Sequence, residues 1–394
     1  MTRIAMFALS YYPDDPRIRR EAETLARAGM AVDIFSLRGD RENRIENFGR
    51  ITVYRILEGT RKDSFLRYVS LSVKFIIAAF FKLNKLFFAK HYHLIQFHNL
   101  PDYLVFIGVI QKFLGIPIVL DLHDLMVELF ESKWRFRKIK RLVPLIRWME
   151  KTSCQFADHL ITTSKGFQER LIDRGFRPEK ITLVMNSADE HIFQNHVNRK
   201  FTKIEKGAKL LYHGTVAKRF GLATAIDAVA RLQDMVPETT LCIYGRYEPA
   251  YRSELETRVK RLGLSGRVVW GEYLSLEEIC QIIRDSDIGI VPYRSDAFMN
   301  LALSTKTFEY VAMQLPVVAS RLQSLKFVFD EDCIKYFEPG RADDLAKKVA
   351  ELCLNPQLRE NYVQSAASAY KNVSWSIMRD RYLCLLKTQM ANVK

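Results

Sequence analysis

The sequence is short of acid. It carries 45 Asp and Glu against 60 Lys and Arg in 394 residues, a formal charge of +15. That surplus favours an anionic partner: nucleic acid, an acidic membrane surface or a phosphorylated substrate. Cysteine is scarce too. Six residues (154, 242, 280, 333, 353 and 384) are scattered with no CxxC and no Cys/His cluster, which argues against a disulfide scaffold and a structural zinc site. Such usage fits a reducing cytosol. No long apolar run is free of charge: the most apolar window, 71–89, contains Lys74, Lys82 and Lys85, so a spanning helix is not expected. The N-terminus, MTRIAMFALSYYPDD, reads as a first strand followed by a turn, not as a signal peptide. Walker-type lysine spacing, a serine–histidine–acid signature and RNA-binding signatures are also missing.

What is present is ordinary for a soluble globular chain: 48% hydrophobic and 27% charged residues, in a length that holds two or three domains. Residues 4–9 read as a strand, and Asp15–Pro16 as an N-cap with proline at the first helical position. Ile18, Ala22, Leu25 and Ala26 repeat at helical spacing, Gly29 ends the helix, and 31–37 is the next strand. This β-α-β unit implies a parallel sheet. Further strands are expected at 94–97, 118–121, 159–162 and 181–184. The pattern restarts near residue 208, with strands at 209–213, 240–244, 268–270, 288–291 and 316–319 and a helix at 222–232. The chain therefore reads as two tandem doubly wound α/β domains facing across a cleft: 1–190, a polar linker at 191–207, and 208–374.

Two motifs in the second half suggest chemistry. In LLYHGTVAKRFGL (210–222) a strand ends at His213, Gly214 and Thr215 make a tight turn, and Lys218 and Arg219 precede a helix near Gly221. Backbone amides at a helix start favour phosphate, and the two cations add to that; the alternative is a solvated basic loop. In STKTFEYVAMQLPVVAS (304–320), Ser304 or Thr305 caps a helix bearing Lys306 and Glu309. Glu309 either complements the helix dipole or accepts two hydrogen bonds from a diol such as a ribose, with Lys306 toward a phosphate. A ribose and a diphosphate are the constant parts of a nucleotide sugar.

These stretches, with ADHLITTSKGFQERL (157–171), KITLVMNSADEHIF (180–193) and DIGIVPY (287–293), resemble the large family of retaining, nucleotide-sugar-dependent glycosyltransferases with the GT-B fold. The resemblance runs through nearly the whole chain, in family order. It implies an enzyme that moves a sugar from a nucleoside diphosphate, UDP or GDP, to a hydroxyl of a glycan or lipid-linked acceptor. No cofactor and no metal are expected, since fixed positive charge and helix ends stabilise the departing diphosphate. Glu309 resembles the glutamate that holds the donor ribose. The family's other glutamate falls on Leu301, a departure for which Asn300 is a candidate substitute. Lys218, Arg219 and Lys306 match the diphosphate-gripping cations. Gly214, Thr215, Tyr244, Gly245, Tyr273 and Thr305 fall on donor-side positions. His98, in IQFHNLPD (95–102), resembles the histidine of the acceptor domain that faces the donor sugar. Arg17, Asp102, His123 and Asp124 are the acceptor-side candidates, with loop capping as the alternative for Asp124. The family's Gly-Gly loop is absent here, and YYPDDPRIRRE (11–21) stands in its place. The last helix, about 375–394, is expected to pack back on the first domain by the same analogy. DSD (285–287) has the string of a metal-binding pair but stands at a strand entry, so it reads as structural.

The basic surplus gathers in the first domain. The stretch 64–93 contains several cations and no acid, and Arg67, Lys74 and Lys85 fall on nearly one helical line. A second cluster, KWRFRKIKRLVPLIRW (133–148), adds cations and two tryptophans. Both read either as core helices with a solvated basic face or as segments lying on anionic lipid. The expected placement is cytoplasmic, peripheral on the inner face of the membrane, in cell-surface polysaccharide or glycolipid synthesis. Three rivals remain: a nucleotide-sugar epimerase on the same scaffold, a basic nucleic-acid-binding protein, and an inactive relative that only binds donor.

Overall fold

The computed structural model describes residues 1–59, 65–133, 139–193 and 199–391. The chain divides into two compact units, residues 1–185 with the chain from Met378 onward, and residues 186–377. Both are open, largely parallel sheets covered by helices.

The first unit runs β1 (Arg3–Tyr11), α1 (Pro16–Arg27), β2 (Ala31–Arg38), β3 (Ile45–Phe48), β4 (Ile51–Glu58), α2 (Phe65–Lys90) and β5 (Leu94–His98). A 3-10 segment (Asp102–Gly108) leads into α3 (Val109–Phe113), β6 (Ile118–Leu122), α4 (Met126–Lys133), α5 (Val143–Phe156), β7 (His159–Thr162), α6 (Lys165–Asp173) and β8 (Ile181–Leu183). The sheet order is β3-β4-β2-β1-β5-β6-β7-β8, and only β3 is antiparallel. Its centre is aromatic: Phe7 stacks on Phe35 at 4.3 Å and on Phe97 at 5.0 Å between ring centroids. The cap expected at Asp15 forms, its carboxylate accepting from the Arg17 and Ile18 amides at 3.2 and 3.3 Å, with Pro16 at the first turn.

The chain moves one way from β1 to β2 and β4, then returns to add β5, β6, β7 and β8 on the other side. Right-handed crossovers in opposite directions put their helices on opposite faces. Accordingly Gln96 of β5 bonds to Glu21 of α1 on one face, at 2.8 Å, whereas Phe97 meets Gly108 on the other. The 3-10 segment packs between α2 and α5 on that second face.

The second unit runs β9 (Lys209–His213), a 3-10 turn (Lys218–Phe220), α7 (Leu222–Leu232), β10 (Thr240–Tyr244), α8 (Pro249–Arg261), β11 (Val268–Gly271), α9 (Leu276–Arg284) and β12 (Ile288–Val291). It continues through α10 (Thr305–Ala312), β13 (Val317–Ser320), α11 (Gln323–Lys326), β14 (Lys335–Phe337), α12 (Ala342–Leu354) and α13 (Pro356–Lys371). The order β11-β10-β9-β12-β13-β14 is parallel throughout. Residues 285–287 hold structure: Asp287 accepts from the Lys209 amide at 2.8 Å, and Asp285 caps the end of α9.

Helix α14 (Trp375–Ala391) closes the chain, and from Met378 onward it belongs to the first unit. Tyr382, fully buried, donates to Gln96 Oε1 at 2.7 Å, on the same sheet face as α1.

Candidate functional site

Open parallel sheets bind ligands beyond the carboxyl ends of their strands, where the strand order reverses. In the second unit that point lies between β9 and β12, so the loops after His213 and Val291 frame it. Three close backbone approaches shape these loops. Gly214 (φ 108°) donates its N–H to the Tyr244 carbonyl at 2.9 Å. A Cβ on Gly245 (φ 147°) would collide with the Gly214 carbonyl, and one on Gly221 (φ 66°) with the Pro292 carbonyl. Only glycine satisfies both the left-handed backbone and the lack of space.

Beneath this turn lies Lys306, on the first turn of α10. Its side chain is buried, and Cε would lie 3.5 Å from a Cβ at Gly214. The ammonium meets the Tyr293 hydroxyl and sits 4.8 Å from the centre of the Tyr212 ring. A buried cation held by a hydroxyl and aromatic faces at a glycine turn, with no ion pair to a carboxylate among the described residues, is placed to meet an anionic ligand. Ser304 precedes α10 as expected, but its hydroxyl pairs with Tyr293 at 3.2 Å and does not cap the helix backbone. Glu309 stands one turn past Lys306, 14% exposed, with Oε2 3.1 Å from His213 Nε2. Neither sealed in core nor spread in solvent, this carboxylate can take hydroxyl donors.

The two loop cations part company. Lys218 is exposed and reaches Glu254 at 3.5 Å, while Arg219 is half-buried over the Phe298 ring at 5.6 Å. Tyr244 ends β10 against Gly271, where a Cβ would strike its ring. Tyr273 is exposed beneath the Arg246 guanidinium, 4.2 Å from its ring centre. Thr215 and Thr305 are exposed. Asn300 spends its amide locally, donating to Ser295 Oγ at 2.9 Å and the Asp296 carbonyl at 3.0 Å. His213 and Tyr293 are additions that sequence reasoning passed over. The signal for each was a polar ring closing an apolar strand.

In the first unit the reversal falls between β1 and β5, and a charged cluster occupies the strand ends there. Asp121, in β6, is fully buried. Its Oδ2 lies 3.3 Å from both His98 Nδ1 and His123 Nε2, and those two nitrogens are 3.1 Å apart. Arg17 clamps both oxygens of the same carboxylate, at 2.8 and 2.9 Å, and meets Glu21 at 3.1 Å. Burial pushes the Asp121 carboxyl up, but Arg17, His123 and His98 outweigh it and hold it well below the usual carboxylate range. Glu21 goes the other way: burial raises it to about 7 despite Arg17. His98 Nε2 is buried and has no hydrogen-bond partner among the described residues.

Two acceptor-side expectations are corrected. Arg17 does not reach outward; it is buried, and its third bond goes to the Val184 carbonyl at 3.0 Å. Asp102 is fully buried, accepts from Asn99 Nδ2 at 2.9 Å and is pushed up to about 8, first by burial and then by Glu150. It braces the loop after β5. His123 and Asp124 remain half-buried at the end of β6, and Asn99 ties that loop down through the His123 amide (2.8 Å) and the Asp124 carbonyl (2.6 Å). Sequence reasoning missed Asp121. Its signal was an acid inside the apolar run IVLDL.

His98, Asp121 and His123 place three ligating atoms within 4.8 Å of one another, a donor set that suits a transition metal. Arg17 already neutralises that carboxylate, which opposes a second cation there.

Two largely parallel sheets, each with polar groups gathered at its own reversal point, define an α/β protein. The model of Glycosyltransferase Family 4 matches residues 17–191, and that of Glycosyl transferases group 1 matches residues 194–369. The chain belongs to this glycosyltransferase family, and its fold is the GT-B fold. It is 21% identical over 267 residues to an alpha-D-kanosaminyltransferase of Streptomyces kanamyceticus, covering 66% of this chain and 67% of that one. A chitobiosyldiphosphodolichol beta-mannosyltransferase of Debaryomyces hansenii is 22% identical over 351 residues, 82% and 73% of the two chains. Among solved structures, Anabaena HepE in complex with UDP and glucose superposes with a TM-score of 0.69 at 17% identity, over 98% of this chain and all of that one.

Proposed function

We propose that this glycosyltransferase takes its sugar from a nucleoside diphosphate, UDP or GDP, and delivers it to a hydroxyl of a glycan or lipid-linked acceptor. The observation that carries this reading is the convergence of Glu309, Lys306 and Arg219 on the reversal between β9 and β12. Glu309 accepts the ribose hydroxyls, positioned by His213. Lys306, Arg219 and the Gly214–Thr215 turn hold the diphosphate, with Lys218 as an outer cation. Tyr244, Gly245 and Tyr273 border the base. Asn300 and Thr305 lie on the donor side, although Asn300 must release a local bond to contact a sugar.

In the reaction, the anomeric C–O bond to the diphosphate breaks as the acceptor oxygen bonds to the same carbon. The cations stabilise the charge that develops on the leaving group. Attack from the leaving-group face gives retention, and the departing phosphate takes the acceptor proton, so no strong protein base is needed. The relatives' names include both alpha and beta products, so product NMR decides this point. His98, anchored through Nδ1 to Asp121, offers Nε2 to orient the sugar or acceptor; His123 and Asp124 border the acceptor.

The metal-free reading rests on Lys306 and Arg219 as the fixed charge at the diphosphate, with Arg17 already paired to Asp121, and it predicts that transfer persists in excess EDTA. The six free cysteines, five of them at least partly buried, support a cytoplasmic site of action. Synthesis of cell-surface polysaccharide or glycolipid is the setting that suits such an acceptor.

The test pairs two variants. His98→Ala keeps nucleotide binding and loses transfer, while Glu309→Ala loses binding. Donor consumed at the same rate without any acceptor, with a new sugar epimer formed, would overturn the transferase reading.

A further inference from the structure

One side of the first unit exposes several large apolar side chains on neighbouring helices. Helix α2 buries Leu71, Phe75, Ala79 and Leu83 as its core face. It has a second apolar face: Leu66, Val73, Ile77, Phe81 and Phe88 follow one stripe along the helix and are exposed, Phe81 by 68% and Phe88 by 71%. Beside it, α3 is tied to α2 by Gln111 Nε2 donating to Asn84 Oδ1 at 2.8 Å. Its end presents Phe113, 86% exposed, and Leu114. Across the 3-10 segment, α5 adds Leu145 and Trp148. In the second unit, by contrast, the exposed large apolar side chains Val269, Tyr273, Leu354 and Ile377 are scattered over separate elements. Large apolar side chains exposed on three neighbouring helices of one unit mark an interaction surface.

Charge selects the partner. Helix α2 contains no acid, and Lys74 and Lys85 are exposed beside its stripe. On α5, Arg147 and Lys151 are exposed next to Trp148, while the helix's one acid, Glu150, is buried against Arg174. A second copy docked on this face would set these cations against their own counterparts. Lipid headgroups supply the missing negative charge, and acyl chains accept the aromatic rings. No helix among the described residues is long and apolar enough to cross a membrane. Part of the second basic cluster, 134–138, lies outside the described residues.

We propose that this face docks on an anionic lipid bilayer, with α2, α3 and α5 along the headgroups and Phe81, Phe88, Phe113 and Trp148 inserted between them. The inference is independent of what the second unit binds.

Sedimentation with vesicles tests it, using phosphatidylcholine alone and phosphatidylcholine mixed equally with phosphatidylglycerol. The full chain binds the mixed vesicles, binds the neutral ones far more weakly, and is released by salt. Phe81→Ser with Phe88→Ser abolishes binding. Lys74→Glu with Lys85→Glu weakens it by about tenfold or more. Both variants alter exposed side chains, so circular dichroism and the thermal melting curve remain as in the parent. Equal binding to both vesicle types, or no effect of either pair of substitutions, overturns the proposal. So does a parent chain that ignores vesicles yet self-associates, becoming monomeric with the two serines; that result assigns the face to a protein contact.

Discussion

Removing the Arg17 guanidinium leaves Asp121 and Glu21 buried without their cation. Breaking a buried pair from one side costs about 3–5 kcal/mol, so Arg17→Ala should lower the urea midpoint of unfolding sharply. The same substitution should weaken catalysis through His98, because Asp121 would lose the charge that keeps it ionised. Asp102 makes a different forecast. Its pKa in the folded protein is raised to about 8 from 3.8, so the unfolded chain releases this proton first as pH climbs. Its contribution to stability is therefore full below about pH 4 and is lost as pH rises toward about 8. Asp102→Asn keeps the hydrogen-bonding shape of the neutral acid. It should be more stable than the parent near pH 8, with the gap closing toward pH 4, as read by thermal melts across that range. An unchanged gap would contradict the buried, neutral acid.

At the scale of elements, the glycine turns are the sensitive points. Gly221→Ala adds a Cβ to a left-handed residue that already touches the Pro292 carbonyl. It should cost more than about 1 kcal/mol in urea unfolding and weaken nucleotide binding together, because it pries β9's loop from β12's. The strands were largely legible in the sequence. Apolar runs such as LLYH and IGIV are buried on both sheet faces, so their hydrophobicity alone marks them, and the range 159–162 emerges unchanged. The hairpin of β3 and β4 was not legible. Strand β3, IENF, is mostly exposed and lies at the sheet edge, where no buried pattern is imposed. Short β14 escaped for want of length. In the site, residues that project from strand ends were readable from motif position. Partners fixed by tertiary contact were not: nothing in YYPDDPRIRRE shows that Arg17 turns inward to meet an acid from β6.

For the whole molecule, α14 carries the clearest consequence. Its residues from Met378 belong to the first unit, and Tyr382 anchors the chain Gln96–Glu21–Arg17. Deleting the chain from Met378 onward should lower the thermal transition of that unit while the second keeps its nucleotide affinity. Calorimetry resolves the two, and equal losses in both units would contradict the division.

The most direct measurement is isothermal titration of the intact chain, and of its Glu309→Gln form, with UDP, GDP and ADP. The charge-assisted bonds from a ribose to Glu309 amount to about 1.5–3 kcal/mol. One nucleoside diphosphate should therefore bind the parent, and its affinity should fall by about tenfold or more in the variant. Identical affinity in the two proteins, or no nucleotide bound by either, would contradict the account.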